Sequence, residues 1–133
     1  MVWLYKCSGS FSSCDGSGSG WFKIDQKGLV SPPLAGNAWG NDDVLRTLKW
    51  TSTIPARIAS GNYLIRHELL ALHQAFAPQF YPECAQIVVT GGGGELPSGS
   101  FLTPIPAYAS SNDPGVRVCL THYIPVLDLN NEF

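Results

Sequence analysis

The sequence predicts an all-β fold, a β-sandwich with long loops. Two observations carry this: six short runs are rich in aromatic and β-branched residues, and the segments between them are crowded with Gly, Pro and Ser. A third points the same way, since no heptad pattern or internal repeat runs through the 133 residues. That length suits one domain spanning residues 1–133, long enough to bury a core of its own.

The elements follow in order. Val2 to Tyr5 is an apolar run suited to a buried strand, and the Ser/Gly-rich segment Ser8 to Gly20 ends it as a loop. Trp21 to Asp25 alternates large and polar side chains, the period of a strand. Gly28 to Asn41 holds three Gly and two Pro and crosses the surface as a loop, after which Asn41-Asp42-Asp43 caps one helical turn. Trp50 to Ile54 is a strand that Pro55 ends. From Gly61 to Phe76 two signals compete: Leu69 to Leu72 are good helix formers, whereas alternation places Tyr63, Ile65, His67, Leu69, Ala71 and His73 on one face of a strand buried on both sides. The residues alone leave that choice open. Glu83 to Thr90 is a further strand, Gly91 to Gly94 a flexible turn, and Gly115 to Leu120 a last strand before Pro125.

Composition narrows the function classes. The formal charge is −2 and the eight Lys and Arg residues are scattered, which leaves no basic patch for a nucleic-acid backbone. Only 14% of residues are charged, while four Trp and five Tyr accompany the Gly, Pro and Ser, a balance suited to secreted β proteins that touch neutral ligands such as sugar polymers. No apolar stretch approaches the roughly 20 residues of a membrane-spanning helix. Residues 1 to 20 contain no charged leader followed by an apolar run, so no signal peptide is expected in this sequence. Cys7, Cys14, Cys84 and Cys119 allow two disulfides in three connectivities, and Cys7 with Cys14 is the local pair. Such a bridge implies an oxidising compartment.

Single residues have plain structural roles unless a pattern says otherwise. On their own, Trp3, Trp21, Trp39 and Trp50 are core residues, His67 is a hydrogen-bonding core histidine, His73 is a satisfied core histidine and Tyr81 is a half-buried strand aromatic. The GGGG at Gly91 to Gly94 has no following Lys-Ser/Thr and is a turn.

The segment beginning at Trp50, WTSTIPARIASGNYLIRHELLALHQAFAPQFYPECAQIVVTGGG, resembles the signature region of the fungal cellulose-active lytic polysaccharide monooxygenases, auxiliary activity family nine, formerly glycoside hydrolase family sixty-one. WFKIDQKGL at Trp21 to Leu29, SSCDGSG at Ser12 to Gly18 and DPGV at Asp113 to Val116 stand in the same order as in that family. The resemblance implies an immunoglobulin-like or fibronectin-like antiparallel β-sandwich missing its N-terminal strands, and favours the long strand after Gly61. It implies a secreted copper enzyme that oxidises the β-1,4-glucosidic link of cellulose or another β-glucan with an external electron donor. In such proteins copper is held by an N-terminal amine and two imidazoles, with a tyrosine oxygen near the axial direction. Tyr81 matches that tyrosine, and Gln79 and His73 match the pair that hydrogen-bonds an oxygen species at copper. In an extended segment Gln79 and Tyr81 share a face. Tyr123 stands near the position of an aromatic on the sugar-binding face, where Thr121 replaces the usual residue.

The copper histidines are missing from this pattern. His67, His73 and His122 are the histidines of the sequence, and MVWLYKC aligns with the strand that follows the second ligand. His67 and His73 would lie about 20 Å apart on a straight strand, at about 3.3 Å per residue. The resemblance also implies that Cys84 pairs with a cysteine in the absent part, which leaves a Cys84–Cys119 bridge without family support. The expectation is a cellulose-directed protein of this family, truncated and impaired as an oxidase. A noncatalytic polysaccharide-binding module is the alternative, and a hydrolase using Glu68, Glu83 or Asp113 comes last, because a carboxylate pair about 5 to 9 Å apart has no motif here. A strand edge left unpaired invites self-association.

Overall fold

The computed structural model describes residues 1–30, 39–74, 77–106 and 108–109. Their main feature is one antiparallel sheet of five strands: β1 (Val2–Lys6), β2 (Ser19–Asp25), β3 (Gly61–Ala71), β4 (Gln79–Val89) and β5 (Thr103–Pro104), ordered β4-β3-β1-β2-β5. One helix, α1 (Gly40–Thr47), precedes β3. The all-β, antiparallel class expected from the sequence is what forms. Among the described residues no helix is long and apolar enough to cross a membrane.

Strand alternation divides the side chains between two faces. On one face Val2 and Leu4 of β1, Phe22 and Ile24 of β2 and Tyr63 of β3 form the core with Ile58, and Ile54, Ile65, Ile87, Val89 and Leu102 pack against it. Tyr63 is fully buried, and its phenol donates to the carbonyl of Ala59 at 2.6 Å, which satisfies that buried hydroxyl. Burial pushes that phenol's pKa upward, so it stays a neutral donor.

The opposite face holds a polar and aromatic cluster. Lys23 and Glu68 are each 2% exposed. Arg66 donates to one oxygen of Glu68 at 2.5 Å, and the Tyr108 hydroxyl donates to the other. Lys23 donates to Gln26 Oε1 at 2.8 Å and lies 5.6 Å from the centre of the Trp3 ring. Tyr108 packs against both Trp3 and Phe80, with ring centroids 5.0 and 5.7 Å apart. Buried charge persists here because each charged group has a partner of opposite sign, a hydrogen bond or an aromatic face.

Several elements depart from expectation. The strand from Gly61 forms, but its burial is not uniform: Tyr63, Glu68 and Leu70 are buried whereas His67 is exposed, so His67 is not the core histidine expected. Trp50 to Ile54 is not a strand, because its polar groups bond to the end of β2 instead of to a ladder. The Trp50 indole N–H donates to Asp25 Oδ2 at 2.9 Å and the Ser52 hydroxyl donates to the same oxygen at 2.5 Å, which leaves Ile54 to cover the core. Asn41, Asp42 and Asp43 lie inside the first turn of α1 rather than capping it; Trp39 is the N-cap and makes no side-chain bond. Asn41 instead donates to the carbonyl of Leu70 at 2.8 Å and ties the helix to β3. β4 begins at Gln79, four residues before the strand expected at Glu83. The short β5 carried no signal in the sequence, and the strand expected at Gly115 to Leu120 lies outside the described residues.

The Gly91–Gly94 turn is docked rather than flexible. Gly93 N–H donates to Ala56 O at 2.9 Å, and Ala59 N–H donates to Glu95 O at 2.7 Å. At Gly92 a Cβ would stand 2.0 Å from the Ile58 carbonyl oxygen, so only glycine permits the approach that seals the core with Ile58. At the same end of the sheet Cys7 and Cys14 form the local disulfide, with Cα atoms 5.5 Å apart.

The buried Arg66–Glu68 pair yields a direct test. Glu68→Gln removes the carboxylate that neutralises Arg66, and is expected to cost about 3 kcal/mol in urea denaturation followed by tryptophan fluorescence, the usual range for breaking a buried pair. A change within experimental error would mean the pair is open to water.

Candidate functional site

The hairpin of β3 and β4 positions the residues singled out in the sequence. Eleven pairs run from Gly61↔Val89 to Ala71↔Gln79, and near the loop end Leu69 faces Tyr81 and Leu70 faces Phe80. Two-residue spacing puts Gln79 and Tyr81 on the same side. The Tyr81 hydroxyl donates to Gln79 Oε1 at 2.5 Å, and Tyr81 is 53% exposed, so the two polar groups meet in solvent rather than in the core. No helix runs through Leu64 to Leu72, and Tyr81 is not turned inward.

His73 lies two residues beyond the end of β3, in the connection to β4, and is exposed. It shares the end of the hairpin with Gln79 and Tyr81, but among the described residues no hydrogen bond links it to either. Its exposure also corrects the plain core role. Tyr81 is likewise more exposed than a half-buried strand aromatic. Tyr123, His122 and Cys119 lie outside the described residues, as does Asp113.

The face that carries Gln79 and Tyr81 continues down the hairpin into a cavity of about 610 Å³. Ile65, His67, Leu69, Glu83 and Ala85 line one side, and α1 with Trp50 stands across from them. His67 and Glu83 face each other in the ladder, which sets one imidazole beside one carboxylate at the cavity wall. Trp3 and Trp21 are core residues at 4% and 5% exposure, whereas Trp50, at 39%, is held at the rim by its bond to Asp25. Its alternation with Ser52 and Ile54 suggested a strand and hid this placement. Glu68 lies buried on the opposite face, which removes it as a hydrolytic acid.

The donor set can be compared with what a copper centre needs. Among the described residues no three His, Cys, Asp or Glu side chains converge. Tyr81 offers one phenol oxygen, already bonded to Gln79. One phenol is a poor ligand without nitrogen donors, so these residues by themselves do not fit the metal.

Charge at the helical wall of the cavity is locally paired. Lys27, from the segment after β2, donates to Asp43 of α1, and Arg46 bonds both Asp42 and Asp43. The hydrogen bond from Lys27 comes first in holding the Asp43 carboxyl below its usual pKa, with the charges of Lys27 and Arg46 adding to it. A depressed folded value stabilises the fold fully above the unfolded pKa of about 3.9, and this contribution is lost as pH falls through the lower folded value.

Three comparisons place the chain among known proteins. The family model for Auxiliary Activity family 9 (formerly GH61) matches residues 1–126. AA9 family lytic polysaccharide monooxygenase D of Thermothelomyces thermophilus is 50% identical over 134 residues, covering 94% of this chain and 52% of that protein. AA9 family lytic polysaccharide monooxygenase B of Heterobasidion irregulare is 47% identical, covering 89% of this chain and 49% of that protein. Among solved structures, a cellulose-active polysaccharide monooxygenase from M. thermophila superposes with a TM-score of 0.81 at 44% identity, covering 95% of this chain and 60% of that one. The crystal structure of HiLPMO9B gives a TM-score of 0.84 at 45% identity, over 91% of this chain and 54% of that one. These neighbours have the β-sandwich fold. The chain spans about half the length of the curated relatives it matches.

Two substitutions test the site's electrostatics and exposure. Asp43→Asn should flatten the acid limb of the stability curve below about pH 4, measured by urea midpoints at a series of pH values; an unchanged limb would mean the Lys27 contact is not made in solution. Tyr81→Phe should shift stability by no more than about 0.5 kcal/mol, as expected for an exposed side chain, and a larger loss would give Tyr81 a structural role.

Proposed function

The chain belongs to Auxiliary Activity family 9, and on that premise we propose that it binds cellulose or a related β-glucan through the loop end of the β3–β4 hairpin. The single observation that supports this is the exposed Tyr81–Gln79 pair on one strand face. The Gln79 amide can donate to sugar hydroxyls and accept from them, and the exposed Tyr81 ring offers an apolar surface to a sugar face. His73 stands beside them as a further polar group, and Tyr123 is proposed as an additional sugar contact. The whole surface acts as one domain.

Copper chemistry is the family's trait, and its nitrogen ligands are not found among the described residues. We therefore propose that the chain binds polysaccharide without oxidising it unless those ligands come from outside this sequence. In an oxidising complex, an external electron donor would be required. The reading places the protein outside the cell, where the Cys7–Cys14 bridge is stable.

Binding and oxidation can be separated in one experiment. The 133-residue chain is incubated with swollen cellulose, with and without cupric ion and ascorbate, and both bound protein and oxidised sugar ends are measured. Saturable retention that weakens in the Gln79→Ala, Tyr81→Ala double variant, with no oxidised ends, is expected. Oxidised ends made by the purified chain would overturn the noncatalytic part, and absence of retention would overturn the proposal.

A further inference from the structure

Tyr108 touches three strands of the sheet at once, on the face opposite the Gln79–Tyr81 pair. Its ring centroid lies 5.0 Å from that of Trp3 in β1, tilted by 53°, and 5.7 Å from that of Phe80 in β4, edge-on at 81°. Its hydroxyl donates to Oε1 of Glu68 in β3, whose other carboxylate oxygen accepts from Arg66 at 2.5 Å. Trp3 is 4% exposed and Glu68 2%, so two of the three residues that hold Tyr108 are buried in the sheet. The third, Phe80, is half-buried and stands in sequence between the two polar residues of the proposed binding surface.

That surface lies where the ladder is weakest. Gln79 begins β4, and its pair with Ala71 is the last before the connection between the two strands. Terminal pairs fray most readily. On their own face the Gln79 and Tyr81 side chains bond each other, and Tyr81 is 53% exposed, so packing there does little to fix them. The pleat supplies a constraint from behind: a side chain fixed on one face at residue 80 sets the direction of the Cα–Cβ bonds at 79 and 81 on the other.

On the reading that this pair binds β-glucan, we propose that Tyr108 is a positioning residue for it, acting through the ring of Phe80. The bond to Glu68 and the contact with Trp3 fix the Tyr108 ring. That ring holds Phe80, and Phe80 holds the pleat in which the Tyr81 hydroxyl reaches Gln79 Oε1. Two polar groups set in advance meet a sugar without first being ordered, which removes that ordering cost from binding. Leucine at either position fills space but offers no aromatic edge or face to the other ring.

The pair's geometry can be read without polysaccharide. In the full chain, an NMR Overhauser contact between the Tyr81 ring and the Gln79 side-chain amide reports that the two meet. Retention on swollen cellulose reports binding, and both are measured where circular dichroism shows each variant folded. Tyr108→Leu should weaken the Overhauser contact and lower the affinity by about three- to tenfold, the size of one lost aromatic contact. Tyr108→Phe, which keeps the ring, should retain more of both. Phe80→Leu should reproduce the loss while leaving Tyr108 and Glu68 in place, and it decides the matter if Tyr108→Leu does not fold. The Phe80→Leu, Tyr108→Leu double variant should bind no more weakly than the weaker single variant, because both act on one contact. Ile58→Val, which thins the core at the far end of the hairpin, should lower the urea midpoint and leave the Overhauser contact and the affinity unchanged. An Overhauser contact of wild-type strength in Phe80→Leu and in every folded Tyr108 variant, an equal loss in Ile58→Val, or single losses that multiply in the double variant would overturn the inference. If the wild-type chain is not retained on cellulose, the binding proposal falls, and the Overhauser contact still decides the role of Tyr108.

Discussion

Eleven consecutive pairs between β3 and β4 decide which side of the sheet every later side chain occupies. A slip of one residue would move Gln79, Tyr81, Glu83 and Ile87 together to the opposite face, because side chains alternate with a period of two. Ile87 and Val89 pack against the core at the open end, and that burial holds the register which, about six to eight residues away, leaves Tyr81 in solvent. Core packing at one end of the hairpin thus orients polar groups at the other.

The second face of the sheet adds rigidity of a different kind. Phe80 lies between Gln79 and Tyr81 in sequence and points away from them, where its ring meets Tyr108. Tyr108 in turn bonds Glu68, which holds Arg66. The hairpin is therefore gripped from behind by a network with two buried charges, while its front stays accessible. A network of this kind is sensitive to loss of any one member, since the remaining charge is left without a partner.

Much of this arrangement was legible in the sequence, for identifiable reasons. Alternation alone put Gln79 and Tyr81 on one face, and Cys7 and Cys14 were close enough in sequence to pair. The helix-forming run Leu69 to Leu72 misled only when taken by propensity; long-range pairing with β4 overrides it. Other features depend on contacts that no local pattern encodes. Trp50 to Ile54 has strand composition, yet Asp25, distant in sequence, captures its indole and hydroxyl groups. Glu68 is buried because Arg66 and Tyr108 surround it, and a carboxylate in a strand would otherwise be placed in water. His67 alternates with core residues but comes at the point where the core gives way to the cavity, so its exposure reflects the limited reach of Ile54 and Ile58 across the sheet. The two-residue β5 is too short to leave a pattern.

The bridge between Cys7 and Cys14 encloses an exposed run of Ser and Gly directly after the central strand. Open serine-rich loops are where proteases cut. Here a cleavage between Ser8 and Ser13 would leave both new ends tethered through sulfur, so β1 and β2 would stay joined as neighbours. The segment most open to digestion is thus one where a nick separates nothing.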